Sequence, residues 1–153
     1  MILGIDQSLS KTALVITDKN KLIKFKLIKS STKDLTEIRI KKIGLEIINF
    51  IKENNIKEVN IENLPYGAHS RSVRPLAGLF YFILILLNEN NIKYKSIEPT
   101  VLKKFATKNG KSSKEDMINN LPIEVKEFFN IYLKNKKLGL DDLADAYFLS
   151  IYS

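Results

Sequence analysis

The chain has 153 residues, a formal net charge of +8 and a sequence pI of about 9.5, which fits one domain with a sizeable core and a polyanionic partner, nucleic acid first. The absence of cysteine excludes disulfides, thiolate zinc sites and thiol nucleophiles. The longest apolar run, Leu76 to Leu87, is too short to span a bilayer and contains Gly78.

No stretch combines a basic face with an interfacial aromatic stripe, so no membrane partner is expected. Met1 leads into a strand-like run with no basic region before it. The expected location is therefore cytoplasmic or nucleoid-associated, including the interior of a phage-infected cell.

The first stretch, Met1 to Leu9, reads as a buried strand that ends in a carboxylate, Asp6. Burying an unpaired charge is expensive, so Asp6 demands a lysine, backbone donors or a metal ion. Thr12 to Thr17 is β-branched and apolar, Asp18-Lys19-Asn20 signals a turn, and Lys21 to Ile28 roughly alternates. Together these predict an antiparallel meander of three strands, with strict alternation failing at Leu27-Ile28.

Ser30 to Asp34 carries N-cap candidates for a helix over Leu35 to Asn54, where Leu35, Ile38, Ile43, Ile47, Phe50 and Ile51 share one face. A short strand follows, Ile56 to Ile61, and it too delivers an acid, Glu62. A helix between two strands favours parallel pairing. Asn63 to Arg74 is a loop, after which Pro75 opens a helix, Leu76 to Glu89, that is apolar almost all round. Such a helix is buried on more than one side, by the monomer or by a partner subunit. Ile92 to Ile97 is a further strand, closed by Glu98-Pro99.

Thr100 to Phe105 predicts a short helix, Ala106 to Ser113 a basic loop, and Ser113 a cap for a helix over Lys114 to Asn120. A helix over Pro122 to Lys134 and a charged linker over Lys134 to Lys137 lead to the last helix, Asp141 to Tyr152. There are no internal repeats and no linker that would divide the chain.

Asp142 and Asp145 fall on one face of that last helix, three residues apart. Acids at a helix start also serve as caps, which is the reading for Asp141. Asp145, however, lies among Leu143, Ala144 and Ala146. If the first and fourth strands are parallel neighbours, Asp6 and Glu62 sit side by side, and the last helix can bring Asp142 and Asp145 to them. Two carboxylates about 5 Å apart repel by roughly 3 kcal/mol at an effective dielectric near 20. Hard divalent ions relieve this, and Mg²⁺ suits a few carboxylates plus substrate phosphate oxygens.

Four segments, Gly4 to Ile16, Val59 to Gly67, Glu98 to Met117 and Asp141 to Ser150, resemble the RuvC-type Holliday junction resolvases of the RNase H-like superfamily, in a form closest to phage-type members. The resemblance covers nearly the whole chain. It implies an α/β fold with a five-stranded mixed sheet, three antiparallel strands then two parallel ones, flanked by helices in a single domain, residues 1–153. It also implies a homodimer through the Leu76–Leu87 helix. By position, Asp6, Glu62, Asp142 and Asp145 match metal-binding acids, and Lys103 and Lys114 match basic residues that contact substrate. One departure is Thr107-Lys108-Asn109-Gly110, where the family usually has Thr-Gly-x-Gly.

The implied activity is metal-dependent, structure-selective DNA endonuclease chemistry on branched DNA, in recombination and repair. By the same resemblance Asp6 would bridge two Mg²⁺ ions (Mn²⁺ substituting), with catalysis shared by Glu62, Asp142, Asp145 and Lys114, and products ending in 5′-phosphate. Lys103, Lys108, Lys111, Arg71 and Arg74 are the expected phosphate contacts, and Tyr66 or His69 the expected stacking group at an unpaired base. The competing readings are a nuclease acting on RNA or RNA–DNA hybrid and a non-catalytic dimer that binds or bends branched DNA.

Overall fold

The computed structural model describes residues 1–65, 73–134 and 138–153. The meander forms as β1 (Ile2–Asp6), β2 (Lys11–Asp18) and β3 (Lys21–Lys29), all antiparallel. Lys19 and Asn20 have φ of 47° and 65°, the paired positive values that a tight two-residue hairpin requires. The irregularity in β3 is not at Leu27-Ile28. It lies where Ile16 pairs with Lys24 and Thr17 with Leu22, which leaves Ile23 as an extra residue that turns outward and is exposed.

Helix α1 (Thr36–Glu53) buries Ile43, Ile47, Phe50 and Ile51, while Leu35 and Ile38 stay exposed. None of the polar residues from Ser30 to Asp34 caps it, and Leu35 holds the cap position without a side-chain bond. Their hydroxyls are committed elsewhere: Ser30 Oγ donates to the Leu9 carbonyl and Ser31 Oγ accepts from Lys33 N–H.

β4 (Glu58–Glu62) lies parallel to β1 with Ile5 opposite Ile61, and β5 (Lys93–Ile97) lies parallel to β4. The sheet order is β3-β2-β1-β4-β5, the mixed arrangement expected, with β1 at its centre. Helix α2 (Val73–Glu89) starts two residues earlier than Pro75. Pro75 then sits in the first turn, where its missing N–H leaves no helix bond unmade.

Helices α1 and α2 cover one face of the sheet. They close on each other at Gly44, where a Cβ would come within 2.6 Å of the Phe82 ring. The other face carries α3 (Pro99–Thr107), α4 (Lys114–Asn119), α5 (Ile123–Tyr132) and α6 (Leu140–Ile151) around a second apolar cluster. Glu98 and Pro99 do not close β5 alone. Glu98 is the N-cap of α3 and Pro99 its first residue, the position at which proline is pre-organised for a helix. Ser113 caps α4 as expected, in a reciprocal box with Asp116. Among the described residues no helix is long and apolar enough to cross a membrane.

The contact that positions everything else is α6 on β1. A Cβ on Gly4 would lie 2.0 Å from the Ala146 carbonyl oxygen and 2.6 Å from the Ser150 nitrogen. The helix backbone therefore rests directly on the strand. Its far end is tied down by polar side chains: Thr17 Oγ1 donates to the Ser150 carbonyl, and Asn60 Nδ2 donates to Leu149 and Tyr152 carbonyls, each at 2.8 Å. Gly4→Val is expected to cost about 3 kcal/mol or more, since backbone atoms on both elements must move. A urea midpoint unchanged from wild type would mean that α6 stands further from β1.

Candidate active site

The first and fourth strands end side by side. Asp6 is the last residue of β1 and Glu62 the last of β4, one step beyond the paired Ile5 and Ile61. Gln7 braces this end by donating from Nε2 to the Glu62 carbonyl at 3.2 Å. Just past the end of β4, Asn63 Nδ2 donates at 2.5 Å to Oε1 of Glu98, the residue that follows β5. Helix α6 enters through Gly139 at φ 102°, a left-handed conformation that glycine adopts without steric cost. Asp142 and Asp145 follow on its first turns. Asp141 was expected as the cap, but Gly139 holds that position without a side-chain bond and Asp141 lies inside the first turn. Its carboxylate receives Lys114 Nζ at 2.5 Å.

The electrostatics show that these acids share one environment. Asp6 is 8% exposed. Burial pushes its carboxyl well above the usual range, and the charges of Glu62, Asp145 and Asp142 push it further, with Lys114 opposing. Burial also raises Glu62, against a hydrogen bond with Asp6 and the positive charges of Lys103 and Lys114. Asp145 is raised to about 7 by burial, then by Glu62 and Asp141, with Asp142 adding and Lys114 opposing. For Asp141 burial acts upward, yet the Lys114 hydrogen bond and charge outweigh it and leave the group below its ordinary value. The Lys114 ammonium is held above its ordinary value chiefly by that same bond.

Proximity is not yet coordination. Among the described residues no three of these acids are gathered in the geometry of a bound ion. Asp142 turns instead to Lys11 Nζ, 3.0 Å away, with both side chains mostly buried. The arrangement is a shared cluster of carboxylates with lysines neutralising its α6 side.

The structure brings together Asp6, Glu62, Asp142, Asp145, Lys114 and, through its charge on Glu62, Lys103. Lys108 and Lys111 lie exposed on the loop between α3 and α4. Lys108 itself has φ 65° as the left-handed C-cap of α3. The chain thus keeps a glycine-type backbone there without the glycine, at a cost of roughly 1–2 kcal/mol. Thr107 Oγ1 steadies that turn by donating to the Lys103 carbonyl at 2.9 Å. Arg74 is exposed in the first turn of α2. Tyr66, His69 and Arg71 fall outside the described residues, as does most of the predicted Lys134–Lys137 linker.

Two charged partners escaped the sequence reading, Lys11 and the ion-paired role of Asp141. Lys11 stood in what read as a polar break. The available signal was a single lysine at a strand start, five residues after an acid that needed compensation.

The family described as Poxvirus A22 protein matches residues 1–153. The crossover junction endodeoxyribonuclease RuvC of Aliarcobacter butzleri (strain RM4018) is 30% identical over 146 residues, covering 92% of this chain and 91% of that one. Among solved structures, Thermus thermophilus RuvC in complex with a Holliday junction substrate aligns with TM-score 0.74 at 15% identity, over 97% of this chain and 89% of that one. A fowlpox virus resolvase in complex with substrate Holliday junction DNA aligns with TM-score 0.61 at 19% identity, over 99% and 96%. At such identities the structural likeness is one of fold. The full-length family match and the RuvC sequence match go further: this chain belongs to the Poxvirus A22 protein family, among the RuvC-like resolvases.

Proposed function

We propose that the protein is a divalent-metal-dependent, structure-selective endodeoxyribonuclease that resolves four-way DNA junctions. The observation that carries this reading is Asp6, buried on the central strand within the field of three other carboxylates. A fold does not retain such a group for stability, because each of those carboxylates raises the cost of its charge. The donor set is all carboxylate oxygen, which fits a hard ion such as Mg²⁺, or Mn²⁺ in its place. Asp6, Glu62, Asp142 and Asp145 would hold it, as a two-ion site. When bound, such ions generate a water nucleophile and stabilise the departing oxygen of an in-line displacement, leaving 5′-phosphate and 3′-hydroxyl ends.

The remaining residues act on the substrate. Lys103 and Lys114 flank the acids and would hold the scissile phosphate and its developing charge. Lys108, Lys111 and Arg74, with Arg71, would follow the backbone and position the junction without reading its sequence. Tyr66 and His69 remain the stacking groups suggested by the sequence. A homodimer through α2 is supported by Tyr81 and Ile85, which are 60% and 52% exposed on a helix with few polar residues. Two-fold symmetry would supply one site for each of two paired nicks.

The test is cleavage of a four-way junction, a flap, a linear duplex and an RNA–DNA hybrid of matched sequence, with Mg²⁺ and with EDTA. Paired nicks in the junction, dependent on metal, are expected. Binding without cutting would favour the non-catalytic dimer, and preferential cutting of the hybrid would favour an RNA-directed nuclease.

A further inference from the structure

Among the described residues, Lys11 is a cation that the sheet itself brings to the carboxylates. It is the first residue of β2, and its Nζ lies 3.0 Å from Asp142 Oδ2. Its side chain is 16% exposed and that of Asp142 18%, so this pair is not a solvated surface contact. Its stem is also held in place. It runs past Gly139, where a Cβ would come within 3.4 Å of Lys11 Cδ and 3.2 Å of Leu27 Cδ1. The glycine that starts α6 therefore also leaves room for the lysine beneath it.

The backbone at Lys11 is braced from both sides. Thr12, fully buried, donates from Oγ1 to the Ser8 carbonyl at 2.8 Å and accepts from Ser8 N–H. Arg39 clamps the same turn by donating from Nη2 to the Leu9 carbonyl at 2.8 Å and from Nε to Ser30 Oγ at 2.9 Å. A lysine fixed this firmly is aimed, not roaming.

We propose that Lys11 is a built-in counter-ion that competes with the metal for Asp142 and so sets the metal affinity of the site. The inference rests on the metal-site reading above. Without an ion, Lys11 neutralises Asp142 and keeps it turned from Asp6 and Glu62. For Asp142 to join those acids as a ligand, the Lys11 pair must open. The released ammonium then stays beside the site on its rigid strand, where a substrate phosphate can take over its charge. Lys114 offers a parallel, paired with Asp141, which is not one of the four proposed ligands. Lys11 thus differs from Lys114 in occupying a ligand directly. It acts through Asp142 and is a positioning residue.

Calorimetric titration of the full chain with Mn²⁺ alone tests this, using wild type, Lys11→Met and Lys11→Arg. Lys11→Met is expected to bind Mn²⁺ roughly tenfold more tightly, because a competing cation is gone, and to melt lower than wild type in EDTA. Lys11→Arg keeps the charge and is expected to bind near the wild-type affinity. A merely structural lysine would lower the melting temperature without tightening metal binding. Unchanged or weaker Mn²⁺ binding by Lys11→Met, with wild type binding normally, overturns the inference while leaving the metal site standing. No Mn²⁺ binding by wild type overturns the metal reading itself.

If Lys11→Met does not fold, the wild type still decides. The ¹⁵N resonance of the Lys11 ammonium, assigned by its loss in Lys11→Arg, is expected to move with the metal isotherm. A resonance that stays put across the titration overturns the proposal.

Discussion

Asp6→Asn is expected to abolish junction cleavage, by roughly a thousandfold or more, while raising thermal stability in EDTA. The two effects share one cause. Asp6 is buried at the end of the central strand, and Glu62, Asp145 and Asp142 all disfavour its charge. The amide keeps the shape and removes the charge, so metal-free protein is relieved of repulsion that the native acid must bear. A gain of about 1–2 kcal/mol is reasonable for a buried acid among like charges. For a chain of this size that corresponds to a rise of roughly 2–8 °C in Tm. Junction binding is expected to survive, since Lys103, Lys114 and the loop lysines are untouched. Most structural substitutions move activity and stability down together. A variant that melts lower than wild type in EDTA would remove the acid cluster from consideration, even if cleavage were lost.

The sequence exposed the parts of this site that obey short-range rules. Asp6 and Glu62 were visible because each follows an apolar strand directly, and strand residues set their own neighbours through register. Asp142 and Asp145 were visible through helical spacing. The decisive long-range fact was also written in the chain, but in a form that spacing does not reveal. Gly4 interrupts an apolar strand, and only the structure shows that the gap is filled by the backbone of α6 at Ala146 and Ser150. A missing side chain marks a close approach without naming what approaches.

What stayed hidden follows the same logic. Lys11 pairs with a residue 131 positions away, and nothing local distinguishes it from the solvated lysines of a basic chain. Asp141 read as a cap because first-turn acids usually are. The structure gives the cap to Gly139, whose positive φ provides the entry angle instead. The caps expected from Ser30 to Asp34 failed for a tertiary reason as well, since Ser30 is drawn to Leu9 and Arg39. Propensity offered these side chains several partners, and the fold selected among them.

In EDTA the protein is expected to lose stability steadily as pH rises from about 5 to about 7.5, and in Mg²⁺ that loss is expected to shrink or reverse. Asp145 has an ordinary value of 3.8 and is raised to about 7 in the fold; Asp6 and Glu62 are shifted in the same direction. Between those limits the folded state binds more protons than the unfolded chain, so unfolding becomes more favourable with each increment of pH. Below the ordinary carboxylate range both states are protonated and no penalty exists; above the folded value it has reached its full size. For Asp145 that size is at most about 4 kcal/mol, and local relaxation will reduce it. The acids shifted the other way, Asp116 and Asp141, lose their contribution only at lower pH. Bound cations reverse the balance by favouring the ionised carboxylates, so metal affinity should rise across the same interval. Urea midpoints at half-unit steps from pH 5 to 8, with and without Mg²⁺, measure both slopes. A metal-free midpoint that climbs toward pH 7.5 would show that these carboxylates are not sharing one buried site, and the metal centre would lose its physical basis along with them.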